Sequence, residues 1–140
     1  MNSIDDIEAD FELLDDWEDR YRYLIELGRQ LPPMPEGSQN AETKVPGCVS
    51  QVWLTSAADA AVPPHLSFLG ESDAHIVRGL VAITLALFSG RTAPEILAID
   101  AEARFAKLGL QEHLTPQRSN CLRSMVKRIK DDAARAMVAA

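Results

Sequence analysis

Cysteine is scarce in this sequence: 140 residues hold two, Cys48 and Cys121. A single pair far apart in the chain makes neither a disulfide framework nor a metal-ligand pair, so reduced thiols in a cytoplasmic protein are the expected state. Histidine is nearly as scarce. His65, His75 and His113 stand apart with no H-E-x-x-H or C-x-x-C companion, so no metal site is expected. There is no glycine-rich phosphate loop. The longest apolar run, Leu80 to Phe88, is broken by Thr84 and is far too short to span a bilayer. The opening residues Met1 to Asp6 carry no basic and no apolar segment, so no secretory signal is expected.

Positive charge is missing from the first 19 residues, which hold nine acids and no base. The whole chain carries a net charge of −7. That balance argues against nucleic acid as a partner, because phosphate binding needs clustered Lys and Arg. Bases gather instead near the end: Arg118, Arg123, Lys127, Arg128, Lys130 and Arg135 face only Asp131 and Asp132. The acidic and basic stretches read as two solvated helix faces, side by side, or as a docking surface steered by charge.

What the chain does have is the makings of one α+β domain over residues 1–140. Ser3 and Asp6 form an N-cap pair, with Ile4, Ile7, Phe11 and Leu14 on one helical face. Trp17, Tyr21, Leu24, Gly28 and Leu31 mark a second helix from Asp16 to the Pro32-Pro33 break. From Ala41 to Ser72 the period changes to two, giving a short strand before Pro46, one over about 49–56 and one over about 65–69. Short links between them favour a small antiparallel sheet. Ser72 is positioned to cap a central helix running to Ser89 with Gly90 behind it. Thr92-Ala93-Pro94-Glu95 is a capping box, Asp100 opens a short helix, and Thr115-Pro116 opens the last one. Leu122, Met125, Val126, Ile129, Ala133 and Met137 form its apolar stripe.

The stretch Val45-Pro46-Gly47-Cys48-Val49-Ser50-Gln51-Val52-Trp53-Leu54 stands out. A cysteine directly after Pro-Gly sits on a turn, where glycine leaves backbone room and exposed amides can favour a thiolate. The run that follows alternates, so Cys48 belongs at the mouth of a strand, reactive or inert. Cys121 lies at the edge of the last helix's apolar stripe and reads as a packing residue. Arg118 lies along that stripe, four residues before Leu122, at the unfavourable end of the helix dipole. It is either half of a structural ion pair or a group serving the Cys48 site, its guanidinium turned inward onto a carboxylate or backbone carbonyls. Trp17 and Trp53 read as core.

Four blocks, in order, resemble the SufE family of sulfur-acceptor proteins, including its CsdE branch. They are Trp17 to Gly28, Gly47-Cys48-Val49-Ser50-Gln51-Val52-Trp53, Gly70-Glu71-Ser72-Asp73-Ala74-His75-Ile76-Val77-Arg78-Gly79-Leu80, and His113-Leu114-Thr115-Pro116-Gln117-Arg118-Ser119. The resemblance implies a curled antiparallel sheet with helices packed on it, shared with IscU-type scaffolds. It implies that Cys48 receives persulfide sulfur from a pyridoxal-phosphate cysteine desulfurase (SufS- or CsdA-like), stimulates that enzyme, and passes the sulfur to an iron–sulfur scaffold. Gly47, Ser50, Gln51, Asp73 and Arg118 match motif positions of the site or partner surface, whereas Cys121 matches none. The resemblance also implies a cysteine tucked against an apolar cavity, for which Val45, Val49 and Val52 are the candidate lining. The chain itself has no pyridoxal-phosphate machinery and needs no cofactor. A monomer and a weak homodimer are both compatible with it. A stand-alone thiol enzyme, with a histidine beside Cys48, and a purely regulatory binder of the desulfurase are the other two readings.

Overall fold

Helix α3 (His75–Phe88) is apolar on nearly every side, and in the computed structural model, which describes residues 3–139, it is covered along most of its length. Leu80, Val81, Ile83, Leu85, Leu87 and Phe88 are all buried. A helix without a polar face is stable only when its neighbours enclose it. Those neighbours are α2 (Trp17–Arg29), the strand β2 (His65–Ser72) and the last helix, α7 (Pro116–Ala139). Two glycines let α2 and α3 touch backbone to backbone: a Cβ on Gly79 would lie 2.3 Å from the Leu24 carbonyl oxygen, and one on Gly28 would lie 2.8 Å from the Arg78 Cβ.

Ahead of α2, α1 (Ile4–Leu13) begins with the expected capping box, the Ser3 hydroxyl accepting from Asp6 N–H and the Asp6 carboxylate from Ser3 N–H. Arg20 of α2 closes its other end, donating to the Phe11 and Leu14 carbonyls at 2.9 and 2.8 Å. Carbonyls at a helix C-terminus lack their i+4 donors, and the Phe11 carbonyl here also accepts from Leu14 N–H. The sheet has the order β1-β2-β3, antiparallel throughout, with β1 at Val52–Ala58 and β3 at Arg91–Thr92. Val52 and Leu54 of β1, and Leu66 and Phe68 of β2, point into the core, as the alternation requires. After β3 come α4 (Ala93–Ala98), capped by Thr92 and Glu95, α5 (Ala101–Lys107), capped by Asp100, and α6 (Leu110–His113).

Three expectations are corrected, and the charged stretches find their own partners. The strand before Pro46 shrinks to a bridge between Lys44 and Trp53, since the turn before it consumes the residues a ladder would use. The third strand is Arg91–Thr92, too short to show a period of two. Ser72 does not cap α3: it ends β2, and Ala74 takes the N-cap position with no side-chain bond. The acidic and basic stretches do not pair with each other among the described residues. Asp5 and Glu8 bind Arg104 of α5, while Arg123 pairs with Glu102 and the other paired bases of α7 meet Asp131 and Asp132.

Candidate functional site

Between Val45 and Gln51 the chain makes a five-residue loop, Pro46 to Ser50, whose backbone forms no hydrogen bond among the described residues. Both of its ends are fixed. Val45 N–H donates to the Val52 carbonyl at 2.8 Å, and Leu54 N–H to the Thr43 carbonyl at 2.9 Å. At the far end Gln51 N–H donates to the Asp73 carboxylate at 3.0 Å, and Asp73 N–H donates back to the Gln51 carbonyl at 3.3 Å. Asp73 therefore acts through the loop's anchor. The Gln51 side chain is exposed, and its backbone makes the anchor.

The loop lies along one face of α7. Arg128 donates to the Glu42 carbonyl at 3.0 Å, Gly47 abuts Ser124, and Cys48 meets Cys121. Positions 121, 124 and 128 follow the i, i+3, i+7 spacing of a single helical face. Gly47 has φ +91°, and a Cβ there would lie 2.4 Å from Ser124 Oγ, so both the turn and the close approach require glycine.

Cys48 and Cys121 are joined by a disulfide, with Cα atoms 4.4 Å apart. This corrects the expectation of two separate, reduced thiols. Cys121 does pack, at 2% exposure, yet it packs directly against the site. Distance in sequence concealed the pair, because the loop before β1 and the last helix meet only through tertiary packing. Ser124 and Arg128 were also missed: they share one helical face with Cys121, but no local signal in the sequence places that face beside the loop.

Beside the disulfide is a pocket of about 180 Å³ lined by Val49, Ser50, Val77, Thr115, Gln117, Arg118 and Cys121. Four of the six site residues named from sequence thus gather here or next to it: Cys48, Gly47, Ser50 and Arg118. Val45 and Val52 do not line the pocket. They are sealed in the core at 1% and 0% exposure, while Val49 is 77% exposed. The apolar wall comes from Val77 of α3. Arg118 is half-buried and faces this pocket, but its guanidinium makes no hydrogen bond or ion pair among the described residues. The expected carboxylate or carbonyl partner is not found among the described residues, and the carboxylate of Asp73 is engaged with Gln51. The end of α6, just ahead of α7, is held by α2: Trp17 stacks on His113 with ring centroids 3.9 Å apart, and Tyr21 donates to the His113 carbonyl at 2.5 Å. Arg118 N–H in turn donates to Thr115 Oγ1 at 3.2 Å. None of the three histidines lines the pocket.

Fold and site together define an α+β protein that presents a cysteine on a loop before the first strand, against the first turns of its last helix. The chain belongs to the SufE family, the Fe–S metabolism associated domain, which matches residues 5–133. That membership gives it a role in iron–sulfur metabolism. It is 63% identical over 134 residues to an uncharacterised SufE-like protein of Rhizobium meliloti, covering 95% of this chain and 96% of the relative. An uncharacterised SufE-like protein of Rhizobium etli is 59% identical over 134 residues, covering 95% and 90%. The solution structure of a hypothetical protein from Thermus thermophilus matches with a TM-score of 0.77 over 96% of each chain; at 18% identity it bears on the fold alone. Among the described residues no helix is long and apolar enough to cross a membrane.

Proposed function

We propose that the protein is a sulfur acceptor and carrier. Reduced Cys48 takes the terminal sulfur of a persulfide held by a pyridoxal-phosphate cysteine desulfurase, stimulates that enzyme, and hands the sulfur on to iron–sulfur cluster assembly. The observation that carries this reading is the Cys48 loop: five residues free of backbone hydrogen bonds, hinged at Val45 and Gln51. Such a segment can lift away without breaking the sheet. The Cys48 thiolate attacks the donor's outer sulfur, the donor's S–S bond breaks, and the donor cysteine leaves as a thiolate. An ordinary thiol, with pKa about 8.5, is only a few per cent ionised at neutral pH. The unpaired Arg118 cation at the pocket favours the anionic product. The disulfide must be reduced before Cys48 can accept.

A stand-alone thiol enzyme would need a histidine beside Cys48, and none lines the adjoining pocket. The test is mass spectrometry of reduced protein after incubation with a desulfurase and free cysteine. One added sulfur atom on Cys48, absent in Cys48→Ser, is the expected result. A Cys48→Ser protein that stimulates the desulfurase as well as the wild type would instead mark a regulatory binder.

A further inference from the structure

We infer that Cys121 is a second reacting thiol, which resolves the Cys48 persulfide and releases its outer sulfur as sulfide. The inference rests on the reading of Cys48 as the sulfur carrier. Its foundation is the pairing itself: the only other cysteine in the chain is bonded to Cys48, from a buried position on α7 where a packing residue alone would need no sulfur contact. Three contacts along one helical face seat the loop so that Cys48 returns to this place: Glu42 on Arg128, Gly47 against Ser124, Cys48 on Cys121.

The step balances. The Cys121 thiol passes its proton to the outer sulfur of the persulfide anion, and the resulting thiolate attacks Cys48 Sγ, the inner sulfur. A Sγ–Sγ bond forms, the Sγ–S bond breaks, and the bonding pair leaves with the outer sulfur as hydrosulfide. The sulfane sulfur is reduced, and the two cysteine side chains together are oxidised to the disulfide. A dithiol reductant then restores both thiols for the next cycle. The leaving group is an anion, and the pocket that Cys121 lines also holds the Arg118 guanidinium, which has no ion pair among the described residues. The protein would thus deliver sulfur at the oxidation level an iron–sulfur cluster contains, and would meet the next donor only after reduction.

The test uses the full chain, reduced and then desalted, loaded by a desulfurase with cysteine or separately by inorganic polysulfide, and followed by intact-mass spectrometry and sulfide assay without reductant. Wild type should lose its added sulfur, end two hydrogens lighter than the reduced protein, and release one equivalent of sulfide. Cys121→Ala should hold the persulfide about tenfold longer or more, because the intramolecular thiol is gone. Cys121→Val, with folding checked by circular dichroism, guards against a packing defect in the alanine variant. Persulfides of equal lifetime in wild type and both variants would overturn the inference while leaving Cys48 as the carrier. Polysulfide loading of Cys48 without desulfurase loading would count against the proposed function and leave this step testable. Failure of both loadings would overturn both.

Discussion

Arg118 and Gly47 act on the site by different physics. A guanidinium with no carboxylate partner can be removed without stranding a buried anion, so Arg118→Ala should change stability by no more than about 0.5 kcal/mol. Its loss should still slow persulfide formation on Cys48, by about fivefold if the cation contributes roughly 1 kcal/mol to the anionic product. Lysine should recover part of that rate, keeping charge without the planar fork. Arg123→Ala should leave it alone, because Arg123 faces Glu102 in a separate groove. The measurement is desulfurase-dependent sulfur uptake by the three variants, and a wild-type rate for Arg118→Ala would reduce the residue to a bystander. Gly47 is conformational. Alanine there must hold a positive φ, at roughly 1–3 kcal/mol, and must also displace Ser124 Oγ. Gly47→Ala should therefore slow closure of the Cys48–Cys121 disulfide by a small-molecule oxidant. Adding Ser124→Ala should restore only the share due to the clash, and full restoration would show that the backbone strain is absent.

At the scale of elements, the α2–α3 contact is the tightest joint near the site, and it positions both Val77 and, through Trp17 and Tyr21, the His113 turn. Gly79→Ala would press a methyl against the Leu24 backbone, at about 1–3 kcal/mol, or roughly 2–9 °C in Tm for a chain of this size. A thermal melt unchanged by this substitution would mean the helices can slide apart freely. The capped elements were the legible ones: Ser3, Asp16, Thr92 and Asp100 each announce a helix, because a cap is a local bond between residues three apart or fewer. Strand β3 and helix α6 were not, being two and four residues long and too short to show a period. Of the site, the loop cysteine could be read from Pro46-Gly47 turn chemistry. The α7 face opposite it could not, since Cys121, Ser124 and Arg128 become neighbours of the loop only once the sheet is folded. The Thr92–Glu95 box carries a pH signature. Its carboxylate accepts from Thr92 N–H, which holds the Glu95 pKa below its ordinary value. A lowered pKa stabilises the fold above the usual carboxylate range, and that contribution is lost as the pH falls. Wild type and Glu95→Gln should differ most near neutrality and converge in acid; parallel melting curves across that range would count against it.

Across the whole molecule, the disulfide ties the loop before β1 to the helix that ends the chain, spanning a sequence separation of 73 residues. Everything from the sheet to α6 lies inside that closed loop, so reduction frees a large part of the unfolded ensemble without moving the hydrophobic core. A chain-entropy estimate for a loop of this length is about 4 kcal/mol. For a protein of this size that corresponds to a fall in Tm on the order of 10 °C on reduction. The native site survives reduction, because Val45, Gln51 and Asp73 still hold the loop's ends and Cys121 remains enclosed by the core. The reduced protein is therefore expected to be folded, less stable, and looser only at Pro46 to Ser50. Thermal denaturation with and without a dithiol should show the shift in wild type and none in Cys121→Ala, whose Tm should match that of the reduced protein to within the cost of its lost packing. Hydrogen exchange under the same two conditions should differ most at residues 46–50. A Tm indifferent to reductant in the wild type would mean that the two sulfurs do not remain bonded in solution.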